Sequence, residues 1–198
     1  TLREVLLREW EIVQTAKEGV GDCLPLVANP RPVNPQLDNE QRQALESLLR
    51  STNGVSVFRG GAGTGKSFVL RELVQQLRQS GRGVVVLAPQ RQQVVEMEKA
   101  GFLSPTTVAS FLAKGELADS AVIVVDEAGQ IGGRQMLELV RLIHERHGRL
   151  VLSGDTRQHG AVEASDALLA IERHAGVKPV ELHKIRRQDP ALGRDVEE

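Results

Sequence analysis

An α/β fold wrapped around a mainly parallel sheet follows from three observations in this 198-residue chain. From residue 55 onward, short apolar runs of strand length alternate with amphipathic stretches of helix length. The connections between those runs have room for right-handed crossover helices, which parallel strands require. A glycine-rich loop, RGGAGTGKS at 59–67, separates the first such strand from the helix after it.

Each element can be justified in order. Residues 2–18 place Leu2, Val5, Leu6, Glu9, Ile12 and Val13 at mainly helical spacing with charges between them, which predicts an amphipathic helix. Its expected role is to dock on the core. The prolines at 25, 30, 32 and 35 then forbid a helix and favour an extended linker, so a boundary is expected near residue 35: an appendage over 1–35 and one domain over 36–198. Asp38 is a natural N-cap for a helix to about Arg50 that turns Leu45, Leu48 and Leu49 inward. Strands are expected at VSVF (55–58), VVVLA (84–88), AVIVVDE (121–127), RLVLSGD (149–155) and, more weakly, VKPVEL (177–182). Helices are expected from Lys66 to a Gly81 C-cap and near 91–100, 133–147 and 163–174.

Composition narrows the chemistry. Apolar residues make up 40%, enough for a core, while 25 basic and 26 acidic residues leave a formal net charge of -1 and no global pull toward a polyanion. Any nucleic-acid site must be local. A single cysteine, Cys23, excludes an intrachain disulfide and a cysteine-cluster metal site, and fits a reducing compartment. No run approaches the ~18 apolar residues of a membrane span, and residues 1–20 lack the layout of a secretory signal. The expectation is a soluble, cytoplasmic protein with no membrane insertion.

The chemistry concentrates in the loop. Gly60, Gly65, Lys66 and Ser67 satisfy the pattern G-x-x-x-x-G-K-[ST], with Gly61, Ala62, Gly63 and Thr64 between them, after a buried strand and before a helix. Backbone N–H groups of such a loop wrap phosphates; Lys66 would reach the β- and γ-phosphates and Ser67 would ligate Mg²⁺. A nucleoside triphosphate is the implied ligand. Hydrolysis needs a second metal carboxylate and a group that positions water, and VIVVDEAG supplies Asp126 and Glu127 at a strand's carboxyl end.

Three further segments bear on the class. In LDNEQRQA a glutamine amide, Gln41 or else Gln43, can read adenine. SGDTRQHG brings Asp155 and Gln158 to the carboxyl edge of the sheet, where Gln158 can sense the γ-phosphate. ELHKIRRQ places Arg186 and Arg187 after the last strand, where a guanidinium can stabilise charge on a transferred phosphoryl group.

Taken in order, these segments resemble the first RecA-like domain of superfamily 1 helicases of the RecD-like branch. GGAGTGKS is similar to motif I, VVVLAPQRQ to motif Ia, TVASFL to motif Ib, VVDEAG to motif II, SGDTRQHG to motif III and LHKIRRQ to the start of motif IV. RQHGAVEASDALL and ELHKIRRQ look most like the helicase portion of conjugative relaxases. The resemblance covers residues 36–189 and implies a RecA-like three-layer sandwich, with ATP and Mg²⁺ as cofactors and single-stranded DNA as partner. By it, Gln41 reads adenine, residues 60–67 bind phosphates, Asp126 and Glu127 serve metal and water, Gln158 couples nucleotide to DNA, and Arg187 touches the γ-phosphate. Arg186 stands where an apolar or aromatic residue is usual, which leaves the choice between the two arginines open. Pro89, Gln90, Arg91 and Thr107 would line the single-strand track, although Gln90 replaces a small residue or Thr there.

The chain departs from that pattern in two ways. It stops at Glu198, before a second RecA-like domain, so on its own it is expected not to unwind duplex. The nicking reaction of relaxases resembles tyrosine attack at a histidine-held metal, and this chain has no tyrosine, so that chemistry would belong to an upstream nicking domain. Its five histidines read as surface or packing residues. Phe58 and Phe68 read as core, while Phe102 and Phe111 are open to packing or to base stacking. The rival readings are a P-loop kinase, which would need an arginine-bearing lid and an acceptor pocket, and a non-catalytic nucleotide-binding regulatory module, which would not need Glu127.

Overall fold

The computed structural model describes residues 2–155, 165–189 and 194–197. Six strands, β1 (Val55–Gly60), β2 (Val84–Ala88), β3 (Thr106–Thr107), β4 (Val122–Val125), β5 (Arg149–Gly154) and β6 (Val180–Leu182), form one sheet in the order β3-β2-β4-β5-β1-β6. Every neighbouring pair in it is parallel. All the carboxyl ends therefore open on one edge.

Why these runs become central strands is visible in how their side chains divide. Ile123 and Val125 of β4 and Leu150 and Leu152 of β5 point into one buried cluster, while Val122, Val124 and Val151 point into the other. Both faces of a parallel sheet are covered, so successive residues alternate between two apolar layers instead of between oil and water. On the second face lie α2 (Asn39–Leu49), α3 (Lys66–Gln79) and α4 (Arg91–Lys99), with Leu45, Leu48 and Leu49 fully buried as the spacing requires. On the first face lie α1 (Leu2–Glu18), α5 (Val108–Lys114), α6 (Gly133–Glu145) and α7 (Ser165–His174). The result is the three-layer α/β/α sandwich.

Four differences from the sequence reading have physical causes. The first concerns α1, which docks on α6 and α7, but through Ile12, Val13 and Ala16, whereas Leu2, Val5 and Leu6 stay exposed. Only its carboxyl half reaches the core. Second, β6 is shorter than 177–182, because Pro179 has no N–H to give a ladder. Third, Thr106–Thr107 adds a two-residue edge strand beside Leu87 and Ala88, too short for any periodicity to reveal. Fourth, the segment of Arg186 and Arg187 is β7 (Arg186–Asp189), antiparallel to β8 (Arg194–Glu197), in a separate hairpin. Phe102 and Phe111 are buried, so both pack rather than present a ring to a base.

The Pro-rich segment carries no helix or strand, and it is tied down at the sheet's amino edge. Arg149, 3% exposed, donates to the carbonyls of Leu24 (2.6 Å), Ser51 (2.7 Å) and Asn53 (2.7 Å). Three acceptors around one buried guanidinium make it a local keystone. Arg149→Met is expected to lower the unfolding free energy by about 3 kcal/mol, because the carbonyls lose their donor without gaining water. Urea denaturation reads this, and an unchanged midpoint would show that the carbonyls find other donors.

Candidate active site

At the carboxyl edge, β1 ends at Gly60 and the chain turns through 61–65 into α3. A Cβ on Gly60 would stand 2.6 Å from Thr64 Oγ1 and 2.9 Å from Lys66 Cγ, so the loop closes over a position only glycine can fill. Gly65 has φ 80°, a left-handed conformation, and no side chain caps α3. The first turn of α3 thus keeps N–H groups for an anion. Thr64 is buried and donates its hydroxyl to the Gly61 carbonyl at 2.8 Å, which fixes the loop from inside. Ala62, Gly63 and Ser67 face outward. Just before the loop, Arg59 is held between Glu172 and Glu181, each at 3.3 Å.

Sheet order brings the second half of the site into reach. β5 lies between β1 and β4, so the ends of β4 and β5 flank the loop. Asp126, the first residue after β4, takes hydrogen bonds on Oδ1 from Ser153 Oγ (3.1 Å) and from the Glu127 N–H (3.0 Å). Asp155, the first residue after β5, comes so near that its Oδ2 is 3.8 Å from where a Cβ on Gly61 would be. Glu127 has φ 52°, unusual for a residue with a side chain, and its carboxylate stands 3.9 Å from Lys66 Nζ. Burial pushes the Glu127 carboxyl above its ordinary value; Lys66 opposes that shift, and Asp126, Asp155 and Glu96 add to it.

A third element approaches from α2. Gln41 is 2% exposed and Gln43 is exposed, so of the two glutamines only Gln41 faces inward. Its Oε1 accepts from the Asp38 N–H (3.1 Å), and its Nε2 is buried without a partner among the described residues. An unsatisfied buried donor calls for an acceptor beyond the described residues. Glu40 accepts from the backbone N–H groups of His183 (2.6 Å) and Lys184 (3.3 Å), just past β6, whose Leu182 pairs with Gly60. The start of α2 is thereby fixed near the loop.

The remaining sequence candidates fall in three places. Pro89, Gln90, Arg91 and Thr107 share the carboxyl edge on the β2–β3 side, since Ala88 pairs with Thr107. Gln90 and Arg91 are exposed there, while Thr107 Oγ1 caps α5 by accepting from Ser110 N at 3.1 Å. Gln158 lies outside the described residues; Arg187 lies on β7. The four described histidines are exposed, and no cluster of three or more His, Cys, Asp or Glu suited to a metal occurs among the described residues. Sequence reasoning passed over Ser153, which is fully buried behind Asp126, and Glu40. A polar residue at the end of an otherwise apolar strand was the available signal for Ser153.

The donor set fits a nucleoside triphosphate with a hard cation: a loop of backbone N–H groups, one lysine, an outward hydroxyl at Ser67 and a carboxylate at Asp126. Mg²⁺ keeps several waters, so few protein ligands suffice for it. Among the described residues, no helix is long and apolar enough to cross a membrane.

The chain is 30% identical over 198 residues to the multifunctional conjugation protein TraI of Escherichia coli (strain K12), an alignment covering 93% of this chain and 11% of the relative. It is 30% identical over 158 residues to the probable conjugal transfer protein TraA of Sinorhizobium fredii (strain NBRC 101917 / NGR234), covering 77% and 14%. A conjugal transfer protein TraA of Rhizobium radiobacter matches at 28% over the same length. The chain spans no more than 14% of the length of these relatives. The AAA domain family model matches residues 36–198, and with the phosphate loop, Asp126 and Glu127 joined at one sheet edge, the chain belongs to that family of nucleotide-binding domains.

Proposed function

We propose that this chain is the ATP-binding motor domain of a DNA helicase, part of a conjugative relaxase-helicase, and that Mg-ATP hydrolysis here drives movement along single-stranded DNA. The observation that carries the reading is the meeting of Lys66 and Glu127 at 3.9 Å, with Asp126 braced by Ser153 alongside. A loop for binding alone would not need a half-buried carboxylate standing beside its lysine.

In this reading Lys66 turns from Glu127 to the β- and γ-phosphates, and residues 60–67 donate backbone N–H groups to the phosphate oxygens. Ser67 and, through water, Asp126 would hold Mg²⁺, which would supply neutralisation of the charge that builds as the terminal phosphate leaves. Glu127, freed of Lys66, orients the attacking water and takes its proton; its raised pKa suits a base that must hold that proton. Gln41 offers Nε2 to an adenine ring nitrogen. Gln158 and Arg187 complete the charge and coupling roles, and Pro89, Gln90, Arg91 and Thr107 contact the strand. A second RecA-like domain closes the other side of the cleft, and an upstream nicking domain belongs to the same machine. Residues 1–35 form an appendage to the 36–198 domain.

The test is ATP turnover by this chain and by a version extended through the second RecA-like domain, each with and without single-stranded DNA. Turnover stimulated by DNA only in the longer version supports the motor. DNA-independent turnover in both would replace it with a kinase or regulatory module.

A further inference from the structure

Three glutamines form a bridge that the motor reading above leaves unused. Gln93, on α4, accepts on Oε1 from the backbone N–H of Gln90 at 3.0 Å. A backbone N–H can only donate, so that end of the Gln93 amide is its oxygen and the other end is NH₂. That NH₂ donates to Gln130 Oε1 at 2.9 Å, and the Gln90 side-chain NH₂ reaches the same oxygen at 3.3 Å. The orientation of all three amides follows from one main-chain donor. The bridge joins the segment after β2 to the segment after β4, at the edge where their strands end side by side.

On its far side the bridge ends at Glu127. Gln130 closes the 3-10 turn Ala128–Gln130 by donating its N–H to the Glu127 carbonyl at 3.0 Å. Ala128, which opens that turn, and Ile131, which follows it, are fully buried, so the turn is clamped at both ends and its exposed residue is Gln130. Glu127 itself holds a left-handed conformation that a residue with a Cβ keeps only when its neighbours impose it. The hydrogen bonds of the bridge are exposed to water and neutral, so they add little to folding. Their geometry gives them a different use.

We propose that Gln130 is a positioning residue that transmits occupancy of the single-strand track to Glu127; this rests on the motor reading. A strand bound at Pro89–Arg91 takes the Gln90 side-chain amide for itself, and the Gln93–Gln130 bond then alone sets the turn that presents the Glu127 carboxylate. Removing Gln130's acceptor makes the turn blind to the track without touching nucleotide or DNA contacts.

The experiment uses the protein containing both RecA-like domains, with ATP turnover measured with and without oligothymidylate and DNA affinity measured by fluorescence anisotropy. In Gln130→Ala, the DNA-stimulated to basal ratio is expected to fall about three- to tenfold, with basal turnover and DNA affinity within about twofold of the parent. Gln130→Glu keeps an acceptor oxygen and should restore the ratio. Gln93→Glu keeps the oxygen that caps Gln90 but sets oxygen against oxygen at Gln130, and should reproduce the loss. An unchanged ratio in both Gln130→Ala and Gln93→Glu would overturn the inference while leaving the motor intact. Equal loss of basal and stimulated turnover, or no rescue by Gln130→Glu, would overturn it in favour of a purely structural turn. A parent protein that DNA does not stimulate at all would remove the motor reading itself.

Discussion

Lys66→Ala is expected to weaken Mg-ATP binding by about a hundredfold, since a lysine bridging two phosphates contributes roughly two charge-assisted hydrogen bonds and each tenfold is about 1.4 kcal/mol. Titration calorimetry on the chain itself measures this without any partner domain. The fold should survive, because among the described residues the Lys66 ammonium has a single ion-pair partner, Glu127 at 3.9 Å. Without that cation the Glu127 carboxyl loses the one influence that lowers its pKa and should rise further. Unchanged affinity for Mg-ATP would sink the phosphate-loop assignment.

Glu127→Gln should keep nucleotide binding and lose at least about a hundredfold in turnover in the two-domain protein, the scale of a positioned general base. A fully active variant would refute the role. Protonation supplies a second readout. Because the folded-state pKa of Glu127 is raised, its ionised form costs stability: that cost is absent below the ordinary glutamate value of 4.5 and grows as pH rises through the folded value. Glu127→Gln should therefore raise Tm of the nucleotide-free chain at pH 7 and lose the advantage at acid pH. By the same sign, the acid limb of the turnover profile should lie above that of a free glutamate, and a limb at ordinary glutamate pH would count against Glu127 as the base.

Much of this was legible before any coordinates. The strands after residue 55 announced themselves because a sheet covered on both faces needs continuous apolar runs, and nothing else in the chain shows them. Glycine and lysine spacing located the phosphate loop, since few other residues permit φ of 75° to 80° at Gly63 and Gly65. What escaped was of two kinds. Contacts between distant segments, such as Ser153 on Asp126 or Gln93 on Gln130, leave no periodic mark in either segment. Very short pairings such as Thr106–Thr107 are decided by the neighbour, here the end of β2, rather than by local preference. Helix α1 shows the same limit: its spacing predicts an apolar face, yet only the neighbours α6 and α7 decide that Ile12, Val13 and Ala16, and not Leu2, Val5 and Leu6, are buried.

The grip of Arg149 on the Leu24 carbonyl bears on where this molecule can be cut. The AAA family model matches from residue 36, but a chain started there would strip one of the three acceptors from a buried guanidinium and bare the surface that Ile12, Val13 and Ala16 cover. The matched domain and the unit expected to unfold cooperatively therefore have different starting points. Amide exchange in native conditions should register the mismatch: the amide of Val27, which donates to the Leu49 carbonyl within a stretch lacking any helix or strand, should open only together with the sheet.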